Sequence, residues 1–260
     1  MVQAERVTEI LREVAETIIL PRFRTLADRE IHEKCPGQWV TVADTEAERS
    51  LGARLTALLV GSCAVGEESV ADDPNVLERL DMASPVWVID PLDGTANFIR
   101  GRTRFAMAVA LVVDGETRMG WIHDPLSGRT AVAARGQGAW LDGQRLRLET
   151  PPMLSRMIGS VRGQRAAALT GKVGGVLRQG SAAHDYLDLV EGRMHFAHFR
   201  KLLCWDHAAG VLLHAEAGGC GVLTDGRPYG ARRSAGRLLL APDHSSWETL
   251  RELIEQEGPP

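Results

Sequence analysis

The spacing of apolar residues changes along the chain, and this change limits the fold more than any other feature. Helical spacing near the N-terminus predicts a first helix that ends near Pro21. The apolar face of this helix comprises Val7, Ile10, Leu11, Val14 and Ile18. A second helix is predicted over 45–60, opened by a capping box of Thr45 and Glu48. Its inward-facing residues are Leu51, Leu55, Leu58 and Leu59. From Val86 onward, short apolar strands alternate with glycine-containing turns, which is typical of antiparallel strands.

The two halves of the chain differ in how these elements follow one another. In the first half, strands are predicted at 85–89, 107–113, 119–123 and 130–134. In the second half strands and helices alternate: strands at 157–161 and 238–241, and helices at 164–168, 182–189, after Asp206 and at 246–255. The prolines of the segment 149–152 interrupt the pattern. We therefore predict an α+β subdomain over 1–148 and an α/β subdomain over 149–260, with the active site between them.

Composition excludes several classes of protein. A chain of 260 residues, 44% of them hydrophobic, can form one large or two modest domains. The net charge of −4 gives no support for nucleic-acid binding, and no apolar run of about 18 residues predicts a membrane span. The N-terminal segment is acidic and amphipathic, so we expect a cytoplasmic protein. The scattered cysteines, which lack zinc-like spacing, are expected to be reduced thiols: Cys35, Cys63, Cys204 and Cys220.

The segment from Trp87 to Phe98 places two carboxylates at the end of an apolar strand. Asp90 and Asp93 converge across the turn that Pro91 imposes, and the carbonyl oxygen of Leu92 faces the same space. Mg²⁺ prefers such oxygen ligands. After them, Gly94 permits close approach of a ligand to the backbone, and a short helix from Thr95 can accept an anion at its N–H groups. The alternative is an Asp-Gly turn without function.

Two further acidic segments lie next to glycines. The first, Gly66-Glu67-Glu68-Ser69, follows the second helix and a short strand, and a solvated loop is the favoured interpretation of that segment taken alone. The second runs from Trp205 to Gly210, where Asp206 is predicted to cap a helix. Capping does not exclude metal binding, because one carboxylate oxygen can cap while the other coordinates.

Together these segments resemble the inositol monophosphatase family of Mg²⁺-dependent phosphomonoesterases. The family's marks are present in order as Gly66-Glu67-Glu68, Trp87 to Phe98, Trp205 to Gly210 and Glu216-Ala217-Gly218-Gly219. The resemblance covers essentially the whole chain. It implies a layered αβαβα sandwich, two or three Mg²⁺ ions that Mn²⁺ can replace, sensitivity to Li⁺, and a homodimer. It also implies hydrolysis of a small phosphorylated metabolite by metal-activated water.

The resemblance assigns roles to individual residues. The implied metal ligands are Glu67, Asp90, the carbonyl of Leu92, Asp93 and Asp206. Glu67, Thr95 and Asp44 are implied to act in catalysis, where Asp44 belongs to a family-like segment Val40-Thr41-Val-Ala-Asp44. An ordinary acid near a helix start is the alternative for Asp44. The implied substrate contacts are Asp93, Gly94, Thr95, Ser181, Ala182 and Arg200.

The substrate is the least determined part of this expectation. Phe199 stands where inositol-binding members of the family carry a glutamate. An inositol monophosphate is the leading substrate, and histidinol phosphate, fructose 1,6-bisphosphate and a 3′-phosphonucleotide are alternatives. An alternative of another class is a non-catalytic binding partner of the transcription machinery, although all four acidic ligand positions are intact.

The remaining charged residues are interpreted more simply. Arg200 and Lys201 either meet a second anionic group or are solvated, and we favour solvation. A solvated loop is also favoured for Arg100, Arg102 and Arg104. His195 and His198 stand three residues apart, but no third ligand supports a metal, so both are predicted to be structural.

Overall fold

A computed structural model describes residues 3–149, 153–161, 163–232 and 235–255. The helices are α1 (Ala4–Val14), α2 (Val42–Leu58), α3 (Glu67–Asp72), α4 (Thr95–Ile99), α5 (Gln164–Ala168), α6 (Ala182–Val190), α7 (Cys204–Glu216) and α8 (His244–Glu255). After α1 the chain continues in a wider π-helical turn, Ala15–Ile19, and a 3₁₀ turn that contains Pro21.

Three sheets organise the strands. A hairpin is formed by β1 (Ile31–Cys35) and β2 (Gln38–Thr41). The seven-stranded sheet contains β3 (Cys63–Gly66), β4 (Val86–Asp93), β5 (Ala106–Val113), β6 (Glu116–Asp124), β7 (Arg129–Ala134), β8 (Gly138–Leu141) and β9 (Gln144–Leu146). Its strands follow chain order, with β3 parallel to β4 and every later neighbour antiparallel.

The five-stranded sheet has the order β11-β10-β12-β14-β13. Its strands are β10 (Ile158–Val161), β11 (Gly175–Leu177), β12 (Phe196–Phe199), β13 (Cys220–Leu223) and β14 (Leu238–Ala241). The strands β11, β10 and β12 run parallel, while β14 is antiparallel to both of its neighbours. The sheet is therefore mixed.

Helices and sheets alternate in five layers. The first two helices pack on Trp87 and Trp121 on one face of the seven-stranded sheet. The helices α6 and α7 lie between the two sheets, in a core that contains Val88 and Leu240. The outer face of the five-stranded sheet is covered by α5 and α8, with Trp247 buried there. The predicted layered αβαβα sandwich is confirmed.

Most predicted elements are present, and three helices begin earlier than predicted, including α8, which begins at His244 instead of 246. The second helix begins at Val42, where Thr41 and Asp44 form the capping box in place of Thr45 and Glu48. Because the Asp44 carboxylate accepts the Thr41 backbone N–H at 2.8 Å, the helix starts one turn earlier. The helix α7 begins at Cys204 with Leu203 at its N-cap, so the prediction that Asp206 caps it is wrong. Asp206 lies within the first turn instead.

The short strands of the hairpin and of the five-stranded sheet were not predicted from sequence. Among these, the unpredicted strands are β1, β2, β11, β12 and β13, and β8 and β9 at the end of the seven-stranded sheet were not predicted either. They span three to five residues each, which is too short for an apolar period to stand out. Of the predicted boundary segment, Glu149 is described and residues 150–152 lie outside the described residues. The division into subdomains at 148 and 149 stays a prediction.

Gly210 is expected to be the glycine whose replacement most disturbs the middle layer. A Cβ atom at this position of α7 would lie 2.1 Å from the ring of Tyr186, which is fully buried. Gly210→Ala should therefore destabilise the protein by about 1–3 kcal/mol through overpacking. Urea denaturation of the two proteins measures this difference.

Gly52 provides the matched control, because the same substitution there causes no overlap. Its added Cβ would be 3.9 Å from the Cβ of Ala64, an ordinary van der Waals contact, at a partly buried position of α2. Gly52→Ala should stabilise the helix by about 0.5–1 kcal/mol. Equal effects of the two substitutions would contradict the packing argument.

Candidate metal centre

The turn after β4 presents backbone and carboxylate groups together. Pairing with β5 becomes irregular between Asp90 and Asp93, so the strand leaves the regular ladder there. The Leu92 backbone N–H donates to Oδ1 of Asp90 at 3.1 Å, which fixes that carboxylate. Gly94 has φ of 91°, and a Cβ there would lie 2.7 Å from the carbonyl oxygen of Arg104. Both facts require glycine at this position.

Three carboxylates from distant parts of the chain meet beside this turn. Glu67 at the start of α3, Asp90 in β4 and Asp206 in α7 each offer an oxygen, and these oxygens lie within 4.8 Å of one another. Asp90 is buried, whereas Glu67 and Asp206 are partly exposed. Such a set of carboxylate oxygens, partly open to water, fits a hard divalent cation such as Mg²⁺. We call Glu67, Asp90 and Asp206 the carboxylate cluster.

The electrostatic environment of the carboxylate cluster favours a bound cation. Burial raises the pKa of Asp90 well above its ordinary value, and the neighbouring carboxylates Glu67, Asp93 and Asp206 raise it further. Like charges at this separation disfavour simultaneous ionisation. A divalent cation would remove this repulsion, which is a physical reason for the donor set to bind one.

Asp93 lines the same cleft, next to the carboxylate cluster. Its Oδ2 accepts hydrogen bonds from the Ser181 hydroxyl and, at 2.8 Å, from the Ala183 backbone N–H at the start of α6. Burial raises the pKa of Asp93, and these hydrogen bonds, together with one from the Ala182 backbone, partly offset that effect. The remaining oxygen of Asp93 therefore has a defined orientation. Ser181 itself is buried, and its hydroxyl also caps α6.

Asp44 and Thr95 are brought into contact although 51 positions separate them. The Thr95 hydroxyl donates to Oδ1 of Asp44 at 2.9 Å and lies 3.0 Å from the Leu92 carbonyl oxygen. Oδ2 of Asp44 accepts from the backbone N–H and the hydroxyl of Thr41 at 2.8 and 2.6 Å. Burial raises the pKa of Asp44 to about 6, against the opposing effect of these hydrogen bonds. Asp44 is thus both a helix cap and the partner of Thr95.

Two residues of the site were not recognised in the sequence, Lys34 and Glu48. The Lys34 ammonium group lies 2.9 Å from Oε1 of Glu67 and 3.0 Å from both carboxylate oxygens of Glu68. The buried Glu48 carboxylate accepts the backbone N–H groups of Glu68 and Ser69 at 2.7 and 2.8 Å. The Glu48 contacts therefore fix the start of α3, where Glu67 lies.

The glutamates of this segment do not form a solvated loop. Glu68 is only 6% exposed, and its burial, followed by repulsion from Glu67, raises its pKa to about 8. Gly66 lies against Glu48, because a Cβ at position 66 would be 2.1 Å from Cδ of Glu48. The solvated-loop interpretation of Glu67 and Glu68 is therefore wrong. No sequence signal pointed to Lys34, which reaches the cluster from the hairpin.

Lys34 is expected to compete with a cation for Glu67. Lys34→Gln removes an ammonium group that neutralises Glu67 in the metal-free protein, so binding of Mn²⁺ should become tighter by roughly fivefold, about 1 kcal/mol for a partly buried pair. Isothermal titration calorimetry with Mn²⁺ measures this change. Arg29→Gln, at an exposed position near the hairpin, is the control. Unchanged or weaker binding in Lys34→Gln would show that the ammonium group does not compete.

The cleft around these groups has a volume of about 480 Å³. Among its lining residues are Lys34, Trp39, Glu67, Asp90, Asp93, Thr95, Lys201 and Asp206. The hairpin, β4, α4 and α7 therefore enclose one space. This places the turn at Gly94 and the carboxylate cluster side by side.

Phe199 and the basic residues singled out in the sequence differ in their surroundings. Phe199 stacks on Tyr186 with ring centroids 5.5 Å apart, and lies 4.7 Å from His207. Arg200 is exposed, and Lys201 lines the cleft. Arg104 does not belong to a purely solvated loop, because it forms an ion pair at 2.8 Å with Asp188, while Arg100 and Arg102 are exposed.

The cysteines and the two histidines singled out in the sequence have the following surroundings. The four cysteines are free thiols. The ring of His195 accepts the backbone N–H of Ile158 at 3.0 Å, which agrees with a structural role. His198 is buried in β12. No helix in the described ranges is long and apolar enough to cross a membrane.

The fold and the carboxylate-lined cleft define a layered sandwich of the sugar-phosphatase type. The solved structure of an IMPase from Thermotoga maritima superposes on this chain with a TM-score of 0.82 and 23% identity, and 98% of each chain is covered. The sequence model of the inositol monophosphatase family matches residues 3–257. The chain belongs to the inositol monophosphatase family.

Two proteins that are similar in sequence to this chain carry different names. An inositol-1-monophosphatase of Rhizobium meliloti (strain 1021) is 33% identical over 249 residues, which cover 91% of this chain and 90% of that protein. Nus factor SuhB of Escherichia coli (strain K12) is 32% identical over 217 residues, or 79% of each chain. The family resemblance seen in the sequence is thereby confirmed.

Proposed function

We propose that the protein hydrolyses a small phosphomonoester in a Mg²⁺-dependent reaction, with an inositol monophosphate as the leading substrate. The observation that carries this proposal is the convergence of Glu67, Asp90 and Asp206 within 4.8 Å, beside the turn at Gly94. Membership of the inositol monophosphatase family supports it. Hydrolysis of phosphomonoesters depends chiefly on positioning and on cations, and the carboxylate cluster would hold the cations.

The proposed metal ligands are the carboxylate cluster, Asp93 and the carbonyl oxygen of Leu92. Two or three Mg²⁺ ions, or Mn²⁺ in their place, would polarise the phosphate and lower the pKa of a water molecule. The chain supplies carboxylates whose positions are already fixed. Ser181 and Ala183 orient Asp93, and Glu48 fixes the helix start that carries Glu67.

The turn at Gly94 and Thr95 is proposed to hold the phosphate. The lack of a side chain at Gly94 lets phosphate oxygens approach the backbone, and Gly94, Thr95 and Ala96 at the start of α4 line the cleft. Ala182 remains a proposed substrate contact. Arg200 is not kept as one, because it is not among the residues that line the cleft and shares a sheet face with His198, which lies beneath α5 and α8. Ser181 acts in this proposal mainly through Asp93, since its hydroxyl donates there.

Thr95 and Glu67 are proposed to orient the attacking water. The single hydroxyl hydrogen of Thr95 is directed to Asp44 or Leu92, so the Thr95 oxygen can only accept a hydrogen bond from a further partner. A water in the cleft would therefore donate to Thr95 and present a lone pair towards the phosphate. Glu67 would accept its second hydrogen. Asp44 is a positioning residue in this scheme.

The position of Phe199 bears on the choice of substrate. Its ring lies in an aromatic stack with Tyr186 and His207, so it provides no polar contact to ring hydroxyl groups. A preference for inositol must therefore arise elsewhere in the cleft. Histidinol phosphate, fructose 1,6-bisphosphate and a 3′-phosphonucleotide are the alternatives to be compared.

A panel of these phosphomonoesters, with phosphate release measured in Mg²⁺ and in EDTA, tests the proposal. We expect turnover in Mg²⁺ only, inhibition by Li⁺, and no turnover above background by Asp206→Asn. Asp114→Asn, in an exposed turn, should behave like the wild type. Equal turnover with EDTA, or equal turnover by Asp206→Asn, would contradict the proposal.

Binding to the transcription machinery is a second candidate function, favoured by the likeness to a Nus factor. A pull-down of RNA polymerase that survives in Asp93→Asn would support it, since binding would then be independent of the metal ligands. A cytoplasmic homodimer is also proposed on family grounds. Light scattering of the purified protein measures the oligomeric state.

A further inference from the structure

Positive side chains gather at one end of the five-stranded sheet, away from the cleft. The antiparallel pairing that sets Phe199 opposite Leu238 makes Arg200 and Arg237 the next opposing positions. Arg200 also approaches the turn after β10, since its Nη1 lies 3.7 Å from the position of a Cβ at Gly163. Arg165 lies in the helix α5 that follows this turn. We call Arg165, Arg200 and Arg237 the arginine cluster.

Within the described residues, no carboxylate forms an ion pair with the arginine cluster. No Asp or Glu oxygen in the described part of the chain lies within 4.0 Å of the arginine cluster. The acid that acts on Arg165 from α8 is Glu255, which already pairs with Arg251 at 3.5 Å. Like charges opposite one another on neighbouring strands are destabilising. An uncompensated cluster of this kind indicates a binding partner of negative charge.

A buried histidine beside the arginine cluster also lacks partners. His198 is 3% exposed, and neither of its ring nitrogens has a hydrogen-bond partner among the described residues. The buried Nε of Arg165 has none there either. Buried polar atoms are normally paired, because leaving one unpaired costs the free energy of desolvation. Burial, followed by the arginine cluster, lowers the pKa of His198 to about 4, so the neutral ring offers one donor at pH 7.

The arginine cluster and the carboxylate cluster lie on opposite faces of the five-stranded sheet. Side chains alternate along a strand, so His198 shares a face with its pairing partners Val161 and Leu239. Those two residues belong to the core beneath α5 and α8. Phe199 faces the other way and stacks on Tyr186 of α6. A ligand at the arginine cluster would therefore be separated from Asp206 by the sheet.

We propose that the arginine cluster and His198 bind a phosphate-bearing anion at the carboxyl ends of β10 and β12. Guanidinium groups present planar pairs of N–H donors that match phosphate oxygens, and the positive charge of three of them exceeds the negative charge of a phosphate dianion. The carboxyl ends of parallel strands are common ligand positions in α/β sheets. Arg200 is exposed, so the site is open to solvent on the side of this arginine, while His198 forms its buried side. This site does not depend on the proposed hydrolysis.

Phosphate binding to the metal-free protein tests this proposal. In EDTA, with ionic strength held constant by chloride, inorganic phosphate should raise the melting temperature of the wild type. Arg200→Gln and Arg237→Gln should weaken phosphate binding by about tenfold or more, the scale of a lost hydrogen bond to a charged group. Without phosphate, both variants should melt at the same temperature as the wild type or higher, because a repulsion is removed.

Two controls separate this site from the cleft and from nonspecific charge effects. Asp206→Asn changes the carboxylate cluster, and Arg102→Gln removes an exposed arginine elsewhere. Both should respond to phosphate as the wild type does. A wild type that phosphate does not stabilise, or Arg237→Gln and Arg200→Gln proteins that respond normally, would overturn the proposal. Loss of the response in Asp206→Asn would place the phosphate in the cleft and would also overturn it.

A second readout identifies the source of the phosphate group. Ring resonances of His198 should shift on addition of phosphate to the wild type and stay unchanged in Arg237→Gln. The titration is repeated in EDTA with inositol 1-phosphate, which cannot then be hydrolysed by a metal-dependent route. Tighter binding of the ester supports a phosphorylated metabolite as ligand, and tighter binding of inorganic phosphate supports the free anion. Absence of a His198 shift with both probes would overturn the assignment.

Discussion

Asp90→Asn is expected to reduce phosphate release by about 10³-fold or more, the scale of losses when one member of a catalytic unit is removed. Asp90 is the most buried member of the carboxylate cluster, and the proposed reaction requires its charge to hold a cation. Asparagine keeps the acceptor for the Leu92 N–H but carries no charge. The fold should therefore persist while turnover is lost.

The same substitution is expected to stabilise the metal-free protein. Because burial and Glu67 raise the pKa of Asp90 in the folded state, its ionisation opposes folding. Protonation of Asp90 is therefore linked to folding. The stability that the neutral carboxyl contributes is present at low pH and is lost as the pH rises through the raised pKa. Near neutral pH Asp90→Asn removes this loss, and each kcal/mol gained should raise the melting temperature by about 2–4 °C.

Three changes are expected in Asp90→Asn: loss of phosphate release, a higher melting temperature without metal, and loss of stabilisation by Mg²⁺. Phosphate release and thermal melts in EDTA and in Mg²⁺ measure them. The wild type should be stabilised by Mg²⁺ through mass action, and Asp90→Asn should not. Asp114→Asn makes the same chemical change in an exposed turn of φ 53°, a conformation that asparagine adopts readily. Mg²⁺ stabilisation that persists in Asp90→Asn would contradict the proposed metal site.

Asp44→Asn is expected to lower phosphate release by about 10²–10³-fold, the effect of removing one fixed electrostatic contact in an active site. The carboxylate of Asp44 accepts hydrogen bonds from Thr41 and from the Thr95 hydroxyl. An amide at this position has one oxygen and cannot accept at both sides. The Thr95 hydroxyl would then no longer be held with its hydrogen towards Asp44. Its oxygen would no longer be positioned to accept a hydrogen bond from water.

Variants of the two partners separate catalysis from helix capping. Thr95→Val should lose activity to a similar extent, and the double variant should lose little more, because the two residues act as one unit. Thr95→Ser should retain activity. Thr41→Ala should lose about 1 kcal/mol of stability as a helix cap yet keep its activity per folded molecule. Additive losses in the double variant would contradict the coupling.

The raised pKa of Asp44 also predicts how pH acts on the metal-free protein. With a pKa of about 6 in place of 3.8, protonation of Asp44 favours the folded state, so this contribution to stability is lost as the pH rises from 3.8 through 6. The proposed activity has the opposite dependence, since only the ionised carboxylate can accept hydrogen bonds on both oxygens, from Thr41 and from Thr95. Phosphate release by the wild type should therefore fall as the pH drops below about 6. The residual phosphate release by Thr95→Val should not show this fall, because the hydroxyl that Asp44 orients is absent.

Much of the fold was predictable because strong local patterns agree with the tertiary environment. The helical face of Val7, Ile10 and Leu11 and the apolar run before Asp90 pack where their spacing indicates. Turn signals such as Asp114-Gly115 also fixed the meander of strands. The short strands β11, β12 and β13 were missed, since their positions depend on pairing with residues remote in sequence.

The candidate site was predictable to the extent that chemistry and spacing coincide in short segments. Asp90 and Asp93 stand out because two acids, a proline and a glycine follow an apolar strand. Asp206 was identified as a candidate ligand, but the prediction that it caps the helix was wrong, since Leu203 is the N-cap of α7. Lys34 and Glu48 carry no local signal, because each acts only on residues that the fold brings beside it.

Local spacing in the chain was enough to indicate which residues are able to bind a cation and where the longer helices and strands lie. The packed fold was needed to show that Glu67, Asp90 and Asp206 meet, that Asp44 reaches Thr95, and that arginines gather behind the sheet. Those contacts join positions tens of residues apart. Their geometry is set by how helices pack against sheets, and the packing of layers depends on the whole chain rather than on any one segment.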